Sequence, residues 1–225
     1  MGEHIKVSSE NEKGDVPCVL FKGGAGSPAI IVLQEWWGVN QHILDLAQEI
    51  SNKSGFTTIV PDLYRGHVAI NREDAGHLMT GLDWPGAVKD IQGCARYLLK
   101  HGHTKVGSTG FCMGGALTVA ACCLAPEVNA GVVFYGVPKP ELCDPSTIKV
   151  PIQCHFGDKD DIVGFSAPVD AKRLKDQLEA GKVQYEFHGY DVGHAFVNSS
   201  GPYYDKEACD LSMERMYAFF EKHLK

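Results

Sequence analysis

The sequence has no apolar run near the ~20 residues that a membrane-spanning helix needs, and no cluster of lysine and arginine anywhere along its length. The second absence speaks against a nucleic-acid partner, because such proteins carry a basic face. Lys+Arg 21 against Asp+Glu 28 leaves a net charge of −7. Residues 1–15 lack the basic and apolar regions of a secretory leader, and Lys6 stands where a myristoylation signal needs Ser or Thr. None of the eight cysteines forms a CxxC pair, so no zinc signature is present. Two of them, Cys122 and Cys123, are adjacent, and the set reads as reduced, buried thiols of a cytoplasmic protein. No P-loop, GxGxxG or HExxH motif occurs, so neither a cofactor nor a metal is expected.

What is there has the composition of an ordinary globular chain, 44% hydrophobic and 22% charged. The 225 residues are expected to form one domain, with no internal repeat and no linker. Strands are predicted at 4–8, 17–22, 29–34, 57–61, 105–111, 131–135, 152–156 and 183–188. Several of these, such as AIIVL and AGVVFY, are apolar at successive positions, as strands covered on both faces should be. Amphipathic helices are predicted at 41–53, 85–100 (with Asp83 as its cap), 167–178 and 207–224, and an apolar helix follows residue 112. The first two strands are close enough to form a hairpin around residues 10–14. Alternation of this kind makes an α/β fold, a mainly parallel sheet of about eight strands with helices on both faces. Ligands in such sheets sit at the carboxyl ends of strands.

Four strand ends carry chemistry. Gly110-Phe111-Cys112-Met113-Gly114-Gly115 follows the strand KVGST and opens a helix, the arrangement of a nucleophile elbow with Cys in place of Ser. Glycines permit the tight turn, the helix N-terminus favours a thiolate, and the Met113 amide is left to receive an oxyanion. His194 follows the last strand in Gly193-His194-Ala195-Phe196, where a general base belongs in this chain order. Between them, Asp158, Asp160 and Asp161 compete for the acid, and spacing does not rank them. Glu35 follows the strand AIIVL beside Trp36 and Trp37; this sheltered rim would raise its pKa, and the Trp36 amide would complete an oxyanion hole.

With these residues in view, the chain resembles dienelactone hydrolase (carboxymethylenebutenolidase) and its relatives of the α/β-hydrolase fold. The markers are Gln34-Glu35 with Gly38-Val39-Asn40, Pro61-Asp62-Leu63-Tyr64, the Cys112 elbow, Phe134-Tyr135-Gly136, Gly157 through Asp160 and the His194 motif. The resemblance implies a triad of Cys112, His194 and Asp160, the last because the family's acid stands in a Gly-x-x-Asp turn. It also implies that Glu35 bonds the resting thiol and takes its proton when substrate arrives. Arg72 is its candidate for binding a substrate carboxylate. Trp37, Tyr135 and Phe196 complete the expected substrate surroundings.

Two positions depart from the family pattern. Asn198 stands where a second arginine is expected after the histidine, and Gly76 where an aromatic follows the first. The expected function is therefore hydrolysis of a small lactone or carboxylic ester, with or without a carboxylate of its own, through a thioester acyl-enzyme. Competing readings are a hydrolase of other esters or thioesters, and a non-catalytic binding or sensing member. The missing arginine weakens the case for dienelactone itself.

Overall fold

The computed structural model describes residues 2–225. A hairpin opens the chain: β1 (Glu3–Val7) pairs antiparallel with β2 (Val16–Phe21). Strands and helices then alternate as β3 (Ala29–Leu33), α1 (Gln41–Ser54), β4 (Thr57–Pro61), α2 (Arg72–Thr80), α3 (Trp84–Lys100), β5 (Val106–Phe111), α4 (Met113–Leu124) and β6 (Ala130–Phe134). β7 (Ile152–Gly157), α5 (Pro168–Ala180), β8 (Tyr185–Tyr190) and α6 (Lys206–Leu224) complete it. The eight strands form one sheet in the order β1-β2-β4-β3-β5-β6-β7-β8. β2 runs antiparallel to both neighbours, and every other pairing is parallel.

Period-two alternation divides the core between the two faces of the sheet. In β3, Ala29, Ile31 and Leu33 join one apolar cluster with side chains of α3, α4 and α5. Ile30 and Val32 join the other, against α1 and α6. Both faces are dry, which is why β3 reads as five consecutive apolar residues. From β3 the chain passes through α1 on one face to β4, then through α3 on the other face to β5 on β3's far side. The strand order therefore reverses between β3 and β5. A crevice opens at such a switch point, beyond the carboxyl ends of the strands.

Most predicted elements lie within a residue or two of the observed ones, and three expectations need correction. β8 starts at Tyr185, two residues late, because Lys182 (φ 53°) and the Val183 amide, which donates to Leu178 O at 3.0 Å, still belong to the end of α5. Helix α2 was unforeseen: its first-turn acids Glu73 and Asp74 and its Asn71 cap, which accepts from the Asp74 amide at 2.9 Å, were readable. Ala75 is its one fully buried side chain, so it has almost no apolar stripe. Asp83 occupies the cap position of α3, but its side chain makes no capping bond.

The β5–α4 bend is the tightest part of the fold. Cys112, between them, adopts φ 55°, ψ −116°, a conformation that side chains other than glycine rarely take. The bend closes because backbones touch: a Cβ at Gly114 would lie 2.5 Å from Leu33 O and 2.7 Å from Gln34 O. Gly114→Ala is therefore expected to cost about 3 kcal/mol or more, since the clash is with backbone that cannot rotate away. Urea unfolding measures it; a loss below about 1 kcal/mol would show that the bend has slack.

Candidate active site

Cys112 ends β5 and starts α4, almost buried, at the switch-point crevice. The first amide of α4, Met113 N, has no acceptor among the described residues, and neither has Trp36 N in the turn after β3. Met113 itself is locked in the core, its Sδ accepting from Tyr64 Oη at 3.2 Å. The arrangement leaves two unbonded N–H groups, one beside Cys112 and one in the turn after β3, and such donors are what a developing oxyanion needs.

His194 follows β8 in the 191–199 loop. Its Nδ1 lies 2.6 Å from Asp160 Oδ2 and 3.1 Å from Ser166 Oγ. Asp160 sits in the tight turn after β7, where its amide donates to Gly157 O at 3.2 Å and its Oδ1 accepts from Ile162 N at 3.0 Å. Both Asp160 and Ser166 are buried. Burial opposes a proton on the imidazole, but bonding and charge from Asp160 and Cys112 outweigh it and lift His194 to about 10. The rings of Tyr135 and Phe165 flank the imidazole at 5.1 Å and 6.4 Å. Of the three competing aspartates, Asp160 is the one bonded to the histidine.

Glu35 is buried beside this group. Its Oε2 accepts from Asn198 Nδ2 at 2.5 Å, whereas Oε1 has no partner among the described residues. Burial, against smaller opposing effects of His194 and Asn198, pushes the carboxyl up to about 7. The bond from Glu35 to the resting thiol that the resemblance implies is not among the described hydrogen bonds; the carboxylate is tied to Asn198 instead.

The other nominated residues scatter. A cleft of about 590 Å³ opens next to the site, lined by Trp36, Met79, Trp84, Val137, Leu142 and Phe165 among others. Trp36 is the one nominated residue in its lining. Trp37 packs edge-on against Trp36 (centroids 5.2 Å apart), and its carbonyl accepts from the Ala69 amide at 2.8 Å, bracing the neighbouring loop. Tyr135 and Phe196 are both fully buried and outside the cleft lining, with Tyr135 edge-on to the imidazole at 5.1 Å and to Phe196 at 5.2 Å. Arg72 stands exposed on the first turn of α2, outside the cleft lining. Sequence reasoning missed Ser166 and the cleft wall from the start of α3; a lone serine and scattered apolar residues carry no motif.

Among the described residues no helix is long and apolar enough to cross a membrane, and no group of three or more His, Cys, Asp or Glu is placed to hold a metal. All eight cysteines are free thiols, six of them buried.

Sheet order, switch point and elbow together define an α/β-hydrolase. The model of the dienelactone hydrolase family matches residues 18–224, and the chain belongs to that family, whose members are carboxylic ester hydrolases. It is 33% identical over 214 residues to a protein of Aquifex aeolicus that carries a provisional carboxymethylenebutenolidase name, covering 88% of this chain and 89% of that one. It is 28% identical over 208 residues to the carboxymethylenebutenolidase of Pseudomonas putida, covering 87% and 86%. The fold is shared with a provisionally named dienelactone hydrolase of Klebsiella pneumoniae, at a TM-score of 0.84 and 24% identity over 99% of this chain and 100% of that one.

The Glu35 environment has a consequence for stability. A carboxyl raised from 4.5 to about 7 holds its proton longer when folded than when unfolded. The native state thus binds more protons between those values, and stability falls as pH rises through that window, on the order of 3 kcal/mol in all. Glu35→Gln does not titrate. Its stability relative to the natural protein should therefore rise between about pH 4.5 and 7 and level off above about pH 8. Urea midpoints across pH measure this, and a difference independent of pH would mean that Glu35 is not held protonated.

Proposed function

We propose that this protein hydrolyses a small lactone or carboxylic ester through Cys112, His194 and Asp160, by way of a thioester acyl-enzyme. The observation that carries the reading is the 2.6 Å bond from His194 to buried Asp160, with the Cys112 thiol raising the proton affinity of the same ring. With Nδ1–H donating to Asp160, Nε2 is the nitrogen left to exchange a proton with sulfur. The whole chain acts as one domain in this reading, and its free thiols suit the reducing cytoplasm.

The substrate carbonyl lies against Cys112 with its oxygen toward the amides of Trp36 and Met113. His194 Nε2, whose raised proton affinity suits it to the task, holds the Cys112 proton while sulfur bonds the carbonyl carbon, and the two amides hold the oxyanion. Collapse breaks the bond to the alkoxy oxygen, which leaves with the proton from His194. Water then gives a proton to His194 and its oxygen to the thioester carbon; sulfur departs and recovers the proton. Asp160 keeps the imidazole oriented and stabilises it while charged. Glu35, with one oxygen unpartnered and an affinity near neutrality, accepts or returns a proton at the margin of the site. Arg72 takes no part in these steps.

Cys112→Ala should lower kcat by about a thousandfold or more, since the remaining oxyanion donors supply only the residual rate. A slowly hydrolysed ester should add the mass of its acyl group to the natural protein, and none to Cys112→Ala. Absence of that adduct together with full activity of the alanine variant would remove the proposal. Single-turnover measurements should show slower acylation in Glu35→Gln; an unchanged acylation rate would mean that Glu35 is not a proton acceptor.

A further inference from the structure

The nucleophile, base and acid leave the cleft beside them unexplained. Its walls come from the Trp36 turn, from α2 and the start of α3, and from the segments around residues 137–142 and 164–165. Trp36, Met79, Trp84, Leu142 and Phe165 are each half-buried, so apolar surface stays open to water along the cleft. Contiguous apolar surface of this kind is normally left open where something covers it in use. The volume, about 590 Å³, is that of a small-molecule site.

Two contacts join the cleft to the chemistry. Trp36 carries one of the two free amides, and Phe165 stands edge-on to the His194 ring at 6.4 Å. A substituent on a carbonyl held at Cys112 therefore extends between these aromatic side chains. The charged residues of the lining are Lys139 and Glu141, both exposed and opposite in sign, so the rim has no net charge. A carboxylate in the cleft would find no sheltered cation.

Gly76 lies in the lining, inside α2. A helix interior disfavours glycine. Packing does not require it either, because a Cβ built there meets nothing within 4 Å. What a side chain at this position would do is occupy the cleft.

We infer that the cleft binds an uncharged, bulky apolar group of the ester, an aryl ring or a medium-length alkyl chain, and that Gly76 sets how large that group can be. This rests on Cys112 being the nucleophile and adds the class of substrate presented to it.

The test measures kcat/KM on two series, p-nitrophenyl esters from acetate to hexanoate and acetate esters from ethyl to hexyl and benzyl. In at least one series kcat/KM should climb about fourfold per methylene, and p-nitrophenyl hemisuccinate should fall below the butyrate. The rising series identifies whether the acyl or the alkoxy side enters the cleft. Gly76→Phe should lower the ratio of the longest to the shortest substrate of that series at least tenfold, with Gly76→Leu intermediate. Flat series in the natural protein would overturn the inference, as would an unchanged ratio in a folded Gly76→Phe. Cys112→Ala separates the two claims. If it abolishes hydrolysis while both series are flat, the cleft assignment alone fails; if it leaves hydrolysis intact, the nucleophile fails first.

Discussion

Backbone-to-backbone contact around Cys112 is the constraint on which the site depends. The residue is held at φ 55° because the chain must leave β5 and enter α4 in a single step. That step closes because Gly110, Gly114 and Gly136 allow main chains to meet where a Cβ would lie within 2.5 Å of a carbonyl. A residue held in so rarely populated a backbone conformation costs on the order of 1–3 kcal/mol and persists when its surroundings leave no alternative. Here the surroundings are the central strands themselves, so the sulfur inherits the rigidity of the sheet core. The first amide of α4 inherits it too, pointing outward unbonded because the helix has no preceding turn to receive it.

Two buried acids a short distance apart are treated in opposite ways. Asp160 has a donor on each oxygen, the Ile162 amide and the His194 ring. Glu35 has one donor, the neutral amide of Asn198, and an orphan oxygen. A single neutral hydrogen bond does not offset burial of a charge, so the carboxyl rises to about 7. A guanidinium at position 198 would favour the ionised form instead. The amide therefore does more than remove a cation from the substrate side: it places a group that can carry a proton at neutral pH beside the imidazole.

The candidate positions Cys112 and His194 and the parallel sheet were legible because each rests on a local rule. Residues 29–33 read as a strand buried on both faces, and the glycines around Cys112 read as an elbow, because sterics act between near neighbours in sequence. The partner of His194 was legible only to within three aspartates; resolving it required knowing which carboxylate the β7 turn aims at the loop after β8, a relation across 34 residues. Tyr135 and Phe196 stand in the motifs but are fully buried, and a motif does not say whether an aromatic side chain faces a cleft or packs behind its wall. Helix α2 was lost for the opposite reason: its caps are strong, but its buried face is a single alanine.

That weak face bears on how the site divides its tasks. Cys112 sits at the end of the central strand β5, where any change of position disturbs packing on both sides, and His194 follows the edge strand β8. The cleft is built from a helix with little core contact and from loops, where substitutions cost little. At Gly76 the local accounting is simple: helix propensity argues against glycine and packing is indifferent, so neither folding term explains the residue. A position that stability would fill and the structure leaves empty is explained by the space it preserves. In the proposed reaction the fixed half of the site then governs which bond is broken, while the open half governs what is attached to it.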